Sequence, residues 1–264
     1  MNIPSFLSFS DAIKNAEYYL RDKSYVVHAN RWQGVSVASK PEMAMHEVLN
    51  HSLSVRATSD LDKLREDIKP NLPWADDHFQ ERVAGEPLNP GEEWRNWPYA
   101  LSADKFRTEN SKFTHTYMER YWPRYAGDSV QAMHGIRYLY GDLRDVIEQL
   151  AKEPDTRQAY MPIWFPEDTG VKHRGRVPCT LGYHFIMRDA QLHCTYYLRS
   201  CDFVRHFRDD IYMTVRLQLY ILDALRKRDP LWDAVQPGVF TMHIVSLHMF
   251  KNDYNRLFRQ GEKQ

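Results

Sequence analysis

The chain has little cysteine, no excess charge of either sign, no long apolar run, no internal repeat and no low-complexity segment. Three Cys occur in 264 residues, none in a C-x-x-C pair. That argues against a disulfide framework and points to a reducing compartment. Lys+Arg and Asp+Glu both number 35. The chain therefore lacks the basic field of a nucleic-acid binder, and no nucleic-acid partner is expected. No apolar stretch approaches a membrane span, and the start, MNIPSFLSFSDA, lacks the basic and apolar regions of a signal peptide. No membrane partner is expected, and the expected location is cytoplasmic. The 12 His do not fall at metal-ligand spacing, so no metal is expected.

What is present is a mixed pattern of helices and strands. Helical spacing predicts helices over Ser10–Arg21 (with Ser10 as N-cap), Glu42–Leu53, Asp60–Ile68, Leu143–Lys152 and Ile211–Arg226. Short β-rich runs predict strands at Tyr25–His28, Val35–Val37, Ala159–Phe165 and Phe240–Phe250. Residues 1–264 read as one domain, with a loop-rich insertion at about 69–112. Five Pro and two Gly punctuate that insertion, and Trp74, Trp94 and Trp97 argue that it is folded. A short charged tail closes the chain.

The richest stretch runs from Val177 to Asp210. HFIM and LHCTYYL read as two strands joined by a turn at Arg188–Gln191. Paired, they bring the Cys179 thiol and the Arg199-Ser200 pair to one mouth of a sheet. A cation beside a thiol favours the thiolate, which is the nucleophilic form.

Pro178-Cys179 followed, twenty positions after the Cys, by Arg199-Ser200-Cys201-Asp202 resembles the active-site core of thymidylate synthases and their pyrimidine hydroxymethylase relatives. Glu153-Pro-Asp-Thr-Arg157 is similar to the family's Asp-Pro-Asp-Ser-Arg turn, and Trp164 falls at the expected distance after it. His46-Glu47-Val-Leu resembles the family's His-Glu-Leu-Leu helix start, and Gly238 to Phe250 fits the segment ending in His-x-Tyr. Agreement covers roughly residues 140–252.

The resemblance implies an α+β thymidylate synthase-like fold: a mixed β-sheet flanked by helices, forming a homodimer through the sheet. It implies Cys179 as the nucleophile at C6 of a pyrimidine nucleoside monophosphate. Arg199 and Ser200 are implied to hold the phosphate, with Arg157 lent across the dimer interface. Gln158 stands where the family has a second such Arg, and Arg31 is a candidate to compensate. Glu47 is implied to move protons, Tyr125 to lie near C5, His248 to contact the sugar, and Asp202 to face the folate. Phe250 replaces a Tyr and cannot donate a hydrogen bond.

Asp210 stands eleven positions after Arg199, where thymidylate synthases carry Asn, and in this it looks like the deoxycytidylate hydroxymethylases. The implied activity is conversion of dCMP, or CMP, to its 5-hydroxymethyl form with 5,10-methylenetetrahydrofolate and water. The few residues after Phe250 suggest a short lid and so admission of water. A methylating enzyme acting on dCMP or dUMP is the rival reading, and a catalytically silent nucleotide- or RNA-binding homologue is a second.

Overall fold

A computed structural model of the protein describes residues 3–32, 35–108, 110–123, 142–169 and 176–259. The chain opens with β1 (Ser5–Phe6) and α1 (Phe9–Lys23). Ser8, two residues before the expected Ser10, caps α1 by accepting from the Asp11 N–H. The carboxylate of Asp67 accepts from the N–H groups of Phe9 and Ser10, so both Ser8 and Asp67 satisfy orphan donors of the first turn. Next come β2 (Tyr25–Val27) and an antiparallel pair, β3 (Arg31–Trp32) and β4 (Val35–Ser36).

The largest departure from expectation is β5 (Met45–Arg56), which occupies the predicted helix Glu42–Leu53. Only Pro41–Met43 is helical there, as a single 3-10 turn. Met43, His46, Glu47 and Asn50 do recur at helical spacing, but pairing to distant strands overrides that local signal. Glu47 pairs with Tyr25 on one side and with His248 on the other, so it is a strand residue.

Asp60 caps α2 (Leu61–Ile68). The 69–112 segment carries α3 (Trp74–Val83), a 3-10 turn at Glu93–Asn96 and α4 (Ala100–Asp104), so it holds more helix than its Pro and Gly content suggests. Then follow α5 (Tyr117–Tyr121), α6 (Leu143–Lys152), β6 (Tyr160–Pro162), β7 (Thr180–Arg188) and β8 (Gln191–Asp202). Asp189 and Ala190 form the β7–β8 turn with φ of 49° and 52°, the left-handed pair that matches a tight hairpin to the strand twist. Last come α7 (Phe207–Arg226), β9 (Gln236–Phe250) and α8 (Lys251–Phe258), a helix where a charged tail was expected.

The main sheet has the order β1-β5-β9-β8-β7-β6, with β2 also paired to β5. The β8–β9 pair is parallel, whereas β5–β9 and β7–β8 are antiparallel. This is the mixed, helix-flanked α+β architecture that was expected. Helix α7 packs on β8 and β9 through Ile211, Val215, Leu222 and Leu225, all nearly inaccessible. Among the described residues no helix is long and apolar enough to cross a membrane.

One irregularity shapes the site. Buried side chains alternate along β5, β9 and β8, and the alternation breaks in all three. Buried His51 gives way across Leu49 and Asn50 to buried Val48; Ile244 gives way across Val245 and Ser246 to Leu247; Leu198 gives way across Arg199 and Ser200 to Cys201. Leu49 pairs with Ser246, and Ser246 with Ser200, so the breaks are in line. Asn50 takes a φ of 55° there, a conformation Asn tolerates better than most residues. Beyond the break the core-facing positions switch parity, and Ser200, Asp202, Ser246 and His248 line a cleft instead.

A buried ion pair fixes the approach to β7. Arg120 on α5 donates to both oxygens of Asp168, at 2.7 and 2.9 Å, and to the Ile163 carbonyl. The side chains are 9% and 1% exposed. Asp168→Ala leaves that guanidinium unpaired in the interior and is expected to cost about 3–5 kcal/mol. Urea denaturation measures this, and a loss below about 1 kcal/mol would show that the pair ties nothing together.

Candidate active site

Cys179 lies just before β7, half-buried, and the Arg199 side chain holds its segment in place. The Arg199 N–H donates to the Cys179 carbonyl at 2.9 Å. Its Nε donates to the Pro178 carbonyl at 2.8 Å and its Nη2 to the Val177 carbonyl at 3.1 Å, with Nη2 4.0 Å from the Cys179 sulfur. Much of the guanidinium is therefore spent on backbone carbonyls. Burial pushes the Cys179 thiol up; Arg199 and Arg176 pull it down by less, while Asp210 and Asp202 push it up further. Arg199 does favour the thiolate, as a nearby cation should, but the cost of burying the charge is larger.

Two cavities meet at Cys179. The larger, about 620 Å³, is a cleft whose basic side is Arg31, Lys105, Arg176, Arg199 and Arg205. The smaller, about 160 Å³, is a chamber lined by Arg82, Trp97, Tyr117, His206 and Asp210. Ser200 borders both.

Asp210 sits in the first turn of α7, 9% exposed, and its Oδ2 accepts from the Cys201 thiol at 3.6 Å. Burial raises its carboxyl to about 7, against a smaller opposing pull from Arg82. The neighbouring Asp209 points the other way and accepts from the N–H and side-chain amide of Asn71, both at 2.8 Å. His206 stacks on Trp97 at 4.9 Å between centroids, and burial drops its imidazole to about 4. Tyr117 accepts at its hydroxyl from Thr180 and is pushed up by burial and by Cys179.

The predicted residues divide into groups. Cys179, Arg199, Ser200, Asp202, His248 and Asp210 are brought together around the two cavities. Glu47 stands on β5 behind them and accepts from the Ser246 hydroxyl at 2.5 Å. The Asp202 carboxylate is already engaged: it accepts from the N–H groups of Val204 and Arg205 and from the Arg205 guanidinium, closing the turn into α7. His248 stands 3.4 Å from the Ser200 hydroxyl, its imidazole lowered by burial. Arg157 is exposed on the turn before β6 and lines neither cavity. Tyr125 lies outside the described residues; the tyrosine found in the chamber with Cys179 is Tyr117.

Among the cavity residues that the sequence did not single out are Arg82, Tyr117, Arg176 and His206. Only Arg176 carried a usable signal, standing three residues before Cys179. The others come from α3, α5 and the turn before α7, and only the packing of these elements reveals them.

A model of the family described as thymidylate synthase matches residues 55–264. The chain belongs to the thymidylate synthase family. Relatives include proteins of Methanosarcina mazei (32% identical over 111 residues) and Methanococcoides burtonii (29% over 162 residues), each described as "Putative thymidylate synthase". Those alignments cover 42% and 56% of this chain. The chain spans about half the length of the Methanosarcina relative (46%) and 68% of the Methanococcoides one.

In this family member the buried carboxyl has a consequence for stability. Asp210 unfolded ionises near 3.8 and folded near 7. Between those values the folded state keeps a proton that the unfolded state releases, so stability falls as pH rises through that window. Asp210→Asn removes this term. Relative to wild type, the variant should gain up to about 4 kcal/mol at a pH near 8 and almost nothing from this source at a pH near 3. Urea denaturation at both values tests it, and a pH-independent difference would show that the carboxyl ionises freely in the fold.

Proposed function

We propose that the protein transfers a one-carbon unit to C5 of a pyrimidine nucleoside monophosphate, converting dCMP or CMP to its 5-hydroxymethyl form. The observation that carries this reading is the Asp210 carboxyl, buried in the chamber that opens on the Cys179 thiol. C5 of a pyrimidine attacks electrophiles poorly until a thiolate adds at C6. In this reading the Cys179 sulfur bonds to C6, and the C5–C6 electron pair passes to C5 and the C4 substituent. A carboxylate at Asp210 accepts from the 4-amino group of cytosine. Ser200, Arg199 and the cleft cations Arg31 and Arg176 hold the phosphate, and His248 holds the sugar. Glu47, joined to Ser246, moves protons to and from the ring.

The co-substrate 5,10-methylenetetrahydrofolate supplies the one-carbon electrophile when bound. Trp32, Trp97, Phe106 and Phe250 line the cleft and fit a flat ring system. Asp202 would meet it only through lone pairs that Arg205 leaves free.

Leu49, Val245 and Tyr160 are exposed apolar side chains of the main sheet, at 52%, 50% and 41%. That surface suits a second copy of the chain, which would bring its Arg157 to this copy's cleft. Mixing inactive Cys179→Ala and Arg157→Ala subunits should then restore some activity, because one hybrid site holds both groups. Mixed dimers that form and stay inactive would refute the sharing.

A second reading, methylation of dUMP or dCMP, is favoured by the description of the family model and of both relatives. One experiment separates them. The protein is incubated with dCMP, CMP or dUMP and methylenetetrahydrofolate, and the product is weighed while the folate spectrum is followed. A gain of CH2O on a cytidine nucleotide, with tetrahydrofolate released, is expected. A gain of CH2 with dihydrofolate formed in step would establish the methylase instead.

A further inference from the structure

The chamber beside Cys179 is rich in hydrogen-bond donors that have no acceptor. Arg82, on α3, is only 4% exposed; its guanidinium bonds the Tyr121 hydroxyl, but its Nε has no partner. The indole nitrogens of Trp74, Trp94 and Trp97, on the same chamber wall, have none either. Among the described residues no carboxylate lies within ion-pair distance of Arg82; its guanidinium stacks on the Tyr117 ring, 4.3 Å from the centroid. A buried donor without an acceptor is costly, and a buried guanidinium more so. Such a group is best explained by a ligand that supplies the acceptors. Asp210, in the same chamber, is the complementary acceptor, and the charges of Arg82 and Asp210 act on each other.

We propose that Arg82 and Asp210 together read the Watson–Crick edge of cytosine, Arg82 donating to O2 and N3 while Asp210 accepts from the 4-amino group. This rests on the nucleotide reading above and deepens it. Guanidinium is a rigid fork of N–H donors, so two adjacent acceptors suit it. Cytosine presents acceptor, acceptor, donor; uracil presents acceptor, donor, acceptor. The pair of residues therefore matches cytosine at three positions and meets uracil with a donor against N3–H and an acceptor against O4. Such mismatches leave buried polar groups unpaired and are the basis of strong discrimination.

Binding of dCMP, dUMP and abasic deoxyribose 5-phosphate is measured by calorimetry on wild type, Arg82→Lys and Arg82→Met, each checked for folding by circular dichroism. Wild type should prefer dCMP. The variants should lose roughly 30-fold or more in dCMP affinity and much less for dUMP, with the abasic phosphate unchanged. Lys retains charge and stem, so it reports on the fork even where Met fails to fold. An unchanged dCMP/dUMP ratio in a folded variant, or an equal loss for all three ligands, overturns the role of Arg82. A wild type that prefers dUMP, or binds no nucleotide, overturns the cytosine reading itself and is seen before any variant is made.

Discussion

The aligned break in β5, β9 and β8 is the constraint on which the site depends. A regular strand sends alternate side chains to one face, so a regular sheet here would bury Ser200 and Ser246 with Leu198 and Ile244. By switching parity at one level in three paired strands, the sheet keeps Cys201, Leu247 and Val48 in the core and frees their neighbours for the cleft. The switch must be made in register. A single strand that broke alone would place a serine in the core or a leucine in the cleft. Asn50, held in the left-handed region, is the backbone position at which β5 pays for the turn.

The second wall of the site is built by the 69–112 segment, and it is fastened to the same helix that carries Asp210. Asp209 accepts twice from Asn71, and the Arg208 guanidinium donates to the Ile68 carbonyl at 2.7 Å. Asp76 on α3 bonds Arg65 on α2 as well as Tyr212 and Arg216 on α7. These contacts bracket Asp210 on both sides along α7. They fix how deep α3 sits, and so where Arg82 enters the chamber. A segment that Pro and Gly suggest is a loose addition is thereby part of the machinery that places a buried charge.

Legibility followed the range of the interactions. The β7–β8 hairpin, α6, α2 and α7 were readable because each is set by local alternation, caps or helical spacing. So were Cys179 and Arg199, which a short hairpin brings together. β5 was misread because its strand character comes from partners some 200 residues away, and its helical spacing was an accident of Met43, His46, Glu47 and Asn50. The same physics hid Arg82 and Tyr117. Nothing within their own helices marks them; they matter because α3 and α5 close over a thiol that lies far along the chain. The thiol's own state was also hidden, since the sequence shows the cation near it but not the depth of burial that outweighs it.

That burial bears on how such a site becomes reactive. Cys179 and Asp210 both hold their protons more tightly than usual, and each is raised by burial; Asp210 in turn raises the thiol. Two negative charges in so small a chamber oppose each other. In the proposed complex, a base that donates to Asp210 and accepts from Arg82 would change the balance. There the amine's hydrogen bond and the guanidinium would hold the carboxylate's charge, while the pull of Arg199 and Arg176 on the sulfur remains. Under that proposal, recognition of the base and activation of the thiol would be one electrostatic event.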